Sequence, residues 1–134
     1  MKKVLVIIDM QNDFIDGPLG NDECKQAVPA VIDAVNNGGY TDVILTRDTH
    51  GDNYLNTQEG RKLPVVHCIK GTDGWQINSD IMKSGICVIS NLSIAKATIP
   101  EVTVRLIENA TACVTKDSKE AAVKTAGMIQ VEIV

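Results

Sequence analysis

Two histidines and two acidic residues are spaced so that they could bind a metal ion. Asp48 and His50 follow the apolar segment 42–46, and His67 is the only other histidine in the chain. Residues two apart on an extended chain point the same way, so Asp48 and His50 can share a ligand. Together with His67, and with Glu59 between the histidines, they offer groups that suit zinc, iron or manganese. Substrate binding and simple packing of the histidines are the alternatives.

Asp9 comes directly after the apolar run KVLVII at residues 3–8. Such a run is typical of a strand buried on both faces of a parallel sheet. Ligands of these sheets lie at the carboxyl ends of the strands, where a carboxylate can act as a general base. The alternative is an aspartate that only caps a turn in the polar segment after it.

Cys87 opens the segment 87–97, which can form a helix. The free N–H groups and the dipole at a helix start would stabilise a thiolate and hold an oxyanion. The alternative is a small buried apolar residue, which better describes the other three cysteines, Cys24, Cys68 and Cys113.

Two aromatic residues, Phe14 and Trp75, fall in loops with no periodic apolar face. A ring in such a loop can stack on a flat ligand, or it can pack beneath the loop. Both residues are therefore candidates for substrate binding.

The elements that must position these residues alternate between strands and helices. Strands are predicted at 3–8, 42–46, 102–107 and 129–134, and helices at 21–37, 87–97 and 115–127. Asn21 or Asp22 can cap the first helix, in which Pro29 is tolerated if the helix proper starts near Ala27. Thr115 or Asp117 can cap the last helix. Residues 48–80 are predicted as a long functional loop, and the class is α/β.

Length and composition favour one domain over residues 1–134. The chain is 44% hydrophobic and 22% charged, as is ordinary for a soluble globular protein. Its net charge of −4 and the lack of a basic run argue against nucleic acid and membrane surfaces as partners. No signal peptide or membrane span is predicted, and the scattered cysteines are expected to be reduced, so a cytoplasmic location is expected.

Four segments of the chain resemble one known family. They are VLVIIDMQNDFIDGPL, TRDTHGDNYLNTQEG with the later LPVVHC, ICVISN, and CVTKDSKEAAVKTAGMIQVEI. They resemble isochorismatase-like cysteine hydrolases, and nicotinamidase-type amidases in particular. The resemblance implies a three-layer, Rossmann-like fold with a mostly parallel sheet flanked by helices. It also implies individual roles: a triad aspartate (Asp9), a nucleophile (Cys87), a pocket aromatic (Phe14) and metal ligands (Asp48, His50, His67 and, as in some members, Glu59).

The segment between Trp75 and Cys87 departs from the family. Members have there a strand that ends in the triad lysine, a helix and a further strand, whereas this chain has only QINSDIMKSGI. No residue matches the triad lysine, and Lys83 is better interpreted as solvated. The Thr-Asp before the nucleophile is also missing, and GIC can align instead with an earlier cysteine of some relatives. Either the sheet is shortened, with an edge that a homo-oligomer could cover, or the sequence omits a stretch.

The predicted function is cysteine-dependent hydrolysis of a small carboxamide through a thioester, with release of ammonia. The resemblance implies a divalent metal, with zinc preferred and manganese or iron as alternatives. Three other functions stay open: vinyl-ether hydrolysis as in isochorismatases proper, hydrolysis of another small amide, and a metal- or ligand-binding remnant without turnover. The missing lysine supports the remnant.

Overall fold

The chain folds as an alternation of strands and helices in a computed structural model that describes residues 3–84, 103–113, 115–128 and 131–134. The strands are β1 (Val4–Ile7), β2 (Asp42–Leu45), β3 (Arg105–Leu106) and β4 (Glu132–Ile133). The α-helices are α1 (Asn12–Ile15), α2 (Asp22–Asn37), α3 (Gln58–Lys62), α4 (Ser79–Ser84) and α5 (Lys116–Met128). Two 3₁₀ helices span Tyr54–Asn56 and Glu108–Ala110. The predicted α/β class is confirmed.

Both strand pairs are parallel. β1 pairs with β2 from Val4↔Asp42 to Ile7↔Leu45, and α2 connects the two strands. β3 pairs with β4 in the same sense, with α5 between them. Because β1 and β2 run in the same direction, their carboxyl ends lie at one edge, and Asp9 and residues 46–50 leave the sheet there. Within the described residues each sheet has two short strands, which agrees with the predicted shortening.

A core of aliphatic side chains packs on one face of β1 and β2. Its buried members are Leu5, Ile7, Val31, Leu45, Ile77 and Ile81. The predicted burial of both faces of β1 is wrong within the described residues, since Val4 is 47% and Ile8 39% exposed. Successive strand residues point to opposite faces, and the described core covers only the face that carries Leu5 and Ile7.

Helix α2 begins where its cap was predicted. The Asn21 side chain accepts a hydrogen bond from the Cys24 N–H at 2.9 Å, which satisfies one of the free donors of the first turn. The condition given for Pro29, a helix proper that starts near Ala27, is not met, because the helix already begins at Asp22 and runs through Pro29. Pro29 is exposed, as is Lys25, whose carbonyl loses its helical partner and can bond water.

The segment 48–80 is more ordered than a long loop. It contains the first 3₁₀ helix, α3 and the start of α4, and isolated bridges join His50 to Ile69 and Gln11 to Ile77. Tyr54 and Cys68 are buried in it, and the Cys68 N–H bonds Asp13 outside the segment. A segment held in this way can place side chains accurately.

The later elements are only partly described. The predicted helix 87–97 lies outside the described residues, and the strands predicted at 102–107 and 129–134 appear as the shorter β3 and β4. Thr115 caps α5 as predicted, since its hydroxyl accepts from the Ser118 N–H at 3.1 Å. No helix in the described part of the chain is long and apolar enough to cross a membrane.

Candidate metal and catalytic site

Asp48, His50 and His67 converge at the carboxyl end of β2. Their ligand atoms all lie within 4.8 Å of one another. The Oδ2 atom of Asp48 is 2.8 Å from His50 Nε2 and 3.4 Å from His67 Nε2. The fold thus brings His67 back from 17 residues along the chain to the pair that the Asp-x-His spacing predicts.

The two imidazoles are prepared to bind a cation through Nε2. His67 Nδ1 lies 2.7 Å from the Val65 carbonyl, so the N–H of this ring sits on Nδ1 and the Nε2 lone pair faces Asp48. His50 Nε2 is buried and makes no hydrogen bond, although Asp48 Oδ2 is close. A buried nitrogen without a partner costs free energy, which a bound cation would remove. Two nitrogens and one oxygen match the three protein ligands of a catalytic zinc site, and the residues therefore fit a divalent metal.

Glu59 lies at the rim of this cluster. Its Oε1 is 3.9 Å from His50 Nε2, and its side chain is 58% exposed. The residue belongs to α3, which Thr57 caps by accepting the Gly60 N–H at 3.0 Å. Its role as a fourth ligand stays a prediction.

Aromatic rings hold the two imidazoles from the side. The buried Tyr54 ring lies 4.6 Å from the His50 ring and 5.0 Å from the His67 ring, measured between centroids. The Tyr54 hydroxyl donates to the Leu63 carbonyl at 2.8 Å, which fixes the ring. Phe14 meets His67 edge-on at 5.5 Å. Phe14 thus contacts a metal-ligand candidate, and its role in the substrate pocket stays a prediction.

Asp9 is held at the same edge by Thr46. The Thr46 hydroxyl donates to Asp9 Oδ1 at 2.5 Å and accepts from the Asp9 N–H at 3.0 Å. Asp9 has φ +51°, a left-handed conformation that turns the chain out of β1. Thr46 and Asp48 both follow β2, so Asp9 and the metal-ligand candidates leave the sheet at the same edge.

Cys68 is a buried thiol surrounded by carboxylates. Burial raises its pKa to about 12, and the negative charges of Asp48, Asp13 and Asp9 act in the same direction. Its N–H donates to Asp13 Oδ2 at 2.7 Å, and this bond holds its left-handed backbone at φ +48°. A thiol that stays protonated is a poor nucleophile. This agrees with the prediction that Cys68 is a small packed residue.

Gln11 is a site residue that the sequence reasoning missed. It is fully buried, and its carboxamide bonds the backbone of Asp48 and of Trp75. The one signal in the sequence is its position two residues after Asp9, inside the first of the motifs that resemble the family.

Trp75 contacts a different group of residues. The Arg47 guanidinium lies 4.0 Å above its ring centre, and its indole N–H donates to Thr49 Oγ1 at 2.8 Å. Arg47 and Thr49 alternate with Asp48 and His50 along the chain, so the ring packs on the opposite side of this segment. A substrate contact by Trp75 stays a prediction.

The nucleophile prediction falls on Cys87, which lies outside the described residues. Lys83 does not act as a triad lysine within the described part of the chain, because its side chain is 75% exposed and bonds Asp80 at 3.1 Å. Cys113 is a second thiol ahead of a helix. It is half-buried, it precedes the first residue of α5 by three positions, and its carbonyl accepts from Asn21 Nδ2 at 3.0 Å.

Comparison with known proteins agrees with the fold. The family described as the isochorismatase domain matches residues 3–89. Among curated proteins, none is significantly similar in sequence to this chain. Several solved structures share the fold. Pyrazinamidase of Pyrococcus horikoshii in complex with zinc is 19% identical with a TM-score of 0.74, and the match covers 100% of this chain and 99% of that one.

Two further structures extend this comparison. PnC1 of L. infantum in complex with nicotinate is 17% identical with a TM-score of 0.78, over 99% of this chain and 92% of that one. N-carbamoylsarcosine amidase of Thermoplasma acidophilum is 19% identical with a TM-score of 0.68, over 99% and 95% of the two chains. The family match spans more than half of the sequence, and the parallel strand order agrees with it. The chain therefore belongs to the isochorismatase family of hydrolases.

Proposed function

We propose that this chain hydrolyses a small carboxamide by a cysteine-dependent route, with a divalent metal at Asp48, His50 and His67. The observation that carries the proposal is the position of this partly buried ligand set and of Asp9 at one edge of the parallel sheet. A metal-ligand set and a carboxylate at the same edge can contact one small molecule together. Family membership supports hydrolysis as the reaction class.

In the proposed reaction, Asp9 takes the proton from the Cys87 thiol, and the thiolate attacks the carboxamide carbon. Backbone N–H groups at the head of the predicted helix hold the oxyanion of the tetrahedral intermediate. Asp9 then gives the proton to the departing amine, which leaves as ammonia, and a thioester stays on the cysteine. Asp9 next takes a proton from a water molecule, whose oxygen attacks the thioester carbon. The C–S bond then breaks, the acid leaves, and Asp9 returns the proton to the thiolate.

Thr46 orients the carboxylate of Asp9, the proposed general base. The hydroxyl holds Oδ1 and the backbone N–H at once, which fixes the direction of the carboxylate, and none of the hydrogen bonds among the described residues involves its Oδ2, the oxygen that would exchange a proton. A base held in one orientation loses little freedom when it reaches the transition state.

The metal would bind Nε2 of both histidines and a carboxylate oxygen of Asp48, with Glu59 as the predicted fourth ligand. When bound, it would supply an anchor for a ring nitrogen of the substrate. The neighbouring structures that contain zinc or nicotinate support zinc and a heteroaromatic amide as the first candidates to test. Manganese and iron suit the same ligand types.

A binding remnant without turnover is the second candidate. Within the described residues no lysine pairs with Asp9, whose carboxylate is held by Thr46 alone. A remnant would keep the metal site and lose ammonia release. Isochorismatase-type hydrolysis of a vinyl ether is the third candidate. It would not depend on the metal site, and this distinguishes it from the amidase and from the binding remnant.

The test uses nicotinamide as the probe and measures ammonia release by the zinc-loaded chain. We expect release that falls at least 100-fold in Asp9→Asn, since loss of a general base costs about 10²–10⁴ in rate. Cys87→Ala and Cys113→Ala form a matched pair, because each removes one thiol: Cys87 opens the helix predicted at 87–97, and Cys113 lies three residues before α5. Activity lost only in Cys87→Ala supports the proposed nucleophile, and activity lost only in Cys113→Ala assigns the role to Cys113. Zinc uptake with no release from nicotinamide or other small amides would favour the remnant.

A homo-oligomer is also proposed, since Val4 and Ile8 leave an apolar face of β1 exposed in the described structure. Light scattering coupled to size exclusion measures the mass directly. A single species of the monomer mass, at concentrations up to those of the activity assay, would refute it.

A further inference from the structure

We propose that Gln11 is a positioning residue for the metal centre, because it holds the main chain of Asp48 where the carboxylate can reach the cation. The inference rests on the proposed metal site and assigns one more residue to it. Gln11 itself touches neither metal nor substrate.

The Gln11 carboxamide makes three hydrogen bonds. Its Nε2 donates to the Asp48 carbonyl and to the Trp75 carbonyl, each at 2.9 Å, and its Oε1 accepts from the Asp48 N–H at 2.6 Å. The residue has no exposed surface. Both amide hydrogens and one oxygen lone pair are used, so the side chain is locked in a single orientation.

This arrangement replaces a missing piece of the sheet. The ladder between β1 and β2 continues to the Thr46 N–H, which donates to the Ile7 carbonyl at 2.9 Å. The chain then leaves β1 at Asp9, so no backbone of β1 stands opposite Asp48. The carboxamide of Gln11 takes that place, since it presents one donor and one acceptor just as a neighbouring strand does. The N–H and C=O of Asp48 are thereby both satisfied without a strand.

The third bond of Gln11 extends the effect to a second segment. The Trp75 carbonyl belongs to the stretch that carries Ile77, which forms a bridge with Gln11. Asp9 and Gln11 follow β1, and they bond Thr46 and Asp48, which follow β2. The proposed base and the proposed metal ligand are fixed relative to each other by these paired contacts.

Loss of the Gln11 carboxamide should therefore lower the metal affinity, and this loss should exceed the one produced by a core substitution that only destabilises the chain. Outer-shell partners of metal ligands typically contribute 10–100-fold to affinity. We expect Gln11→Leu to lower zinc affinity by about 10-fold or more, measured by competition with a chromophoric chelator. The matched control is Val31→Ala, which removes buried core volume in α2 and leaves the site contacts intact. Its zinc affinity should stay within about twofold of the wild type, because distant sites act independently.

A double-mutant cycle separates positioning from general loosening. If Gln11 acts through Asp48, the effect of Gln11→Leu should shrink to about threefold or less in the Asp48→Asn background, because residues in one hydrogen-bonded network are coupled. The same factor in both backgrounds would overturn the inference. If Gln11→Leu does not fold, Gln11→Ser leaves room for water in place of the amide, and an affinity equal to wild type in that variant would overturn the inference too.

The measurements distinguish failure of the proposed metal site from failure of the proposed role of Gln11. A wild-type chain that takes up no zinc refutes the metal site and the inference with it. A wild-type chain that binds zinc, with Gln11→Leu binding equally well, refutes the role of Gln11 and leaves the metal site standing.

Discussion

His67→Gln is the substitution that tests the metal site most directly. The His67 side chain is buried, its Nδ1 is held by the Val65 carbonyl, and its Nε2 faces Asp48 Oδ2 at 3.4 Å. The change removes the one imidazole that the fold must bring from a distant segment. Tyr54→Phe is the matched control, since Tyr54 contacts both imidazole rings and is not a ligand candidate.

The expected size follows from the ligand count. Four-ligand zinc sites bind with an apparent free energy of about 10–16 kcal/mol, or about 3 kcal/mol for each ligand. Loss of one ligand then weakens binding by at least about 100-fold. Zinc at 100 times the wild-type dissociation constant stabilises the wild type by about 2.7 kcal/mol. For a chain of this length this corresponds to a rise in melting temperature of about 10 °C. The same zinc concentration should stabilise His67→Gln by about 0.4 kcal/mol or less, a rise below about 2 °C.

The assay is a thermal unfolding scan with and without zinc, run on the wild type and both variants. Tyr54→Phe should keep most of the zinc-dependent rise, although loss of the bond to the Leu63 carbonyl lowers its stability without zinc by about 1–3 kcal/mol. An equal zinc-dependent rise in His67→Gln and in the wild type would show that zinc binds elsewhere. That result would refute the assignment of His67 as a ligand.

Three further predictions concern the surroundings of the site. Burial raises the pKa of Cys68 to about 12, so its thiol should resist alkylation near pH 9 in the native chain, whereas the half-buried Cys113 should react. Peptide mass spectrometry measures the labelling of each cysteine, and equal labelling of both would contradict the burial of Cys68. The same raised pKa means that its contribution to stability is complete below the ordinary value of 9.0 and is lost as pH rises toward about 12, since the unfolded chain releases the proton first. Gly74→Ala should destabilise the chain by about 1–3 kcal/mol in urea unfolding, because a Cβ would overlap the Asp13 carboxylate; an unchanged midpoint would show that the carboxylate can move aside. Asn21→Ala should cost about 1 kcal/mol through loss of the α2 cap, and a loss below the error of the fit would contradict that role.

The strand and helix order was predictable because it depends on local patterns. The apolar runs before Asp9 and Asp48 indicate strands, and the Asn21 cap marks the start of α2. The prediction that both faces of β1 are buried was wrong, because an apolar run does not show which face of a strand is covered. That depends on which elements pack there, and within the described residues the core lies on a single face.

The meeting of the proposed ligands was predictable for a related reason. Asp48 and His50 share a side because of their spacing, and carboxyl ends of parallel strands always lie at one edge. The return of His67 to that edge was a hypothesis, supported by the family resemblance. The structure adds the distances between the ligand atoms and, for His67, the bond to the Val65 carbonyl that leaves Nε2 available for a cation.

The sequence by itself determined the α/β class, the family and the residues that could bind a metal, because these follow from periodicity, spacing and short motifs. Only the tertiary structure decided how those residues are supported. Gln11 reaches Asp48 across 37 positions and Trp75 across 64, and Tyr54 packs against two rings that enter from different segments. No local pattern encodes such partners, because a buried polar or aromatic side chain takes its role from whatever the fold places beside it.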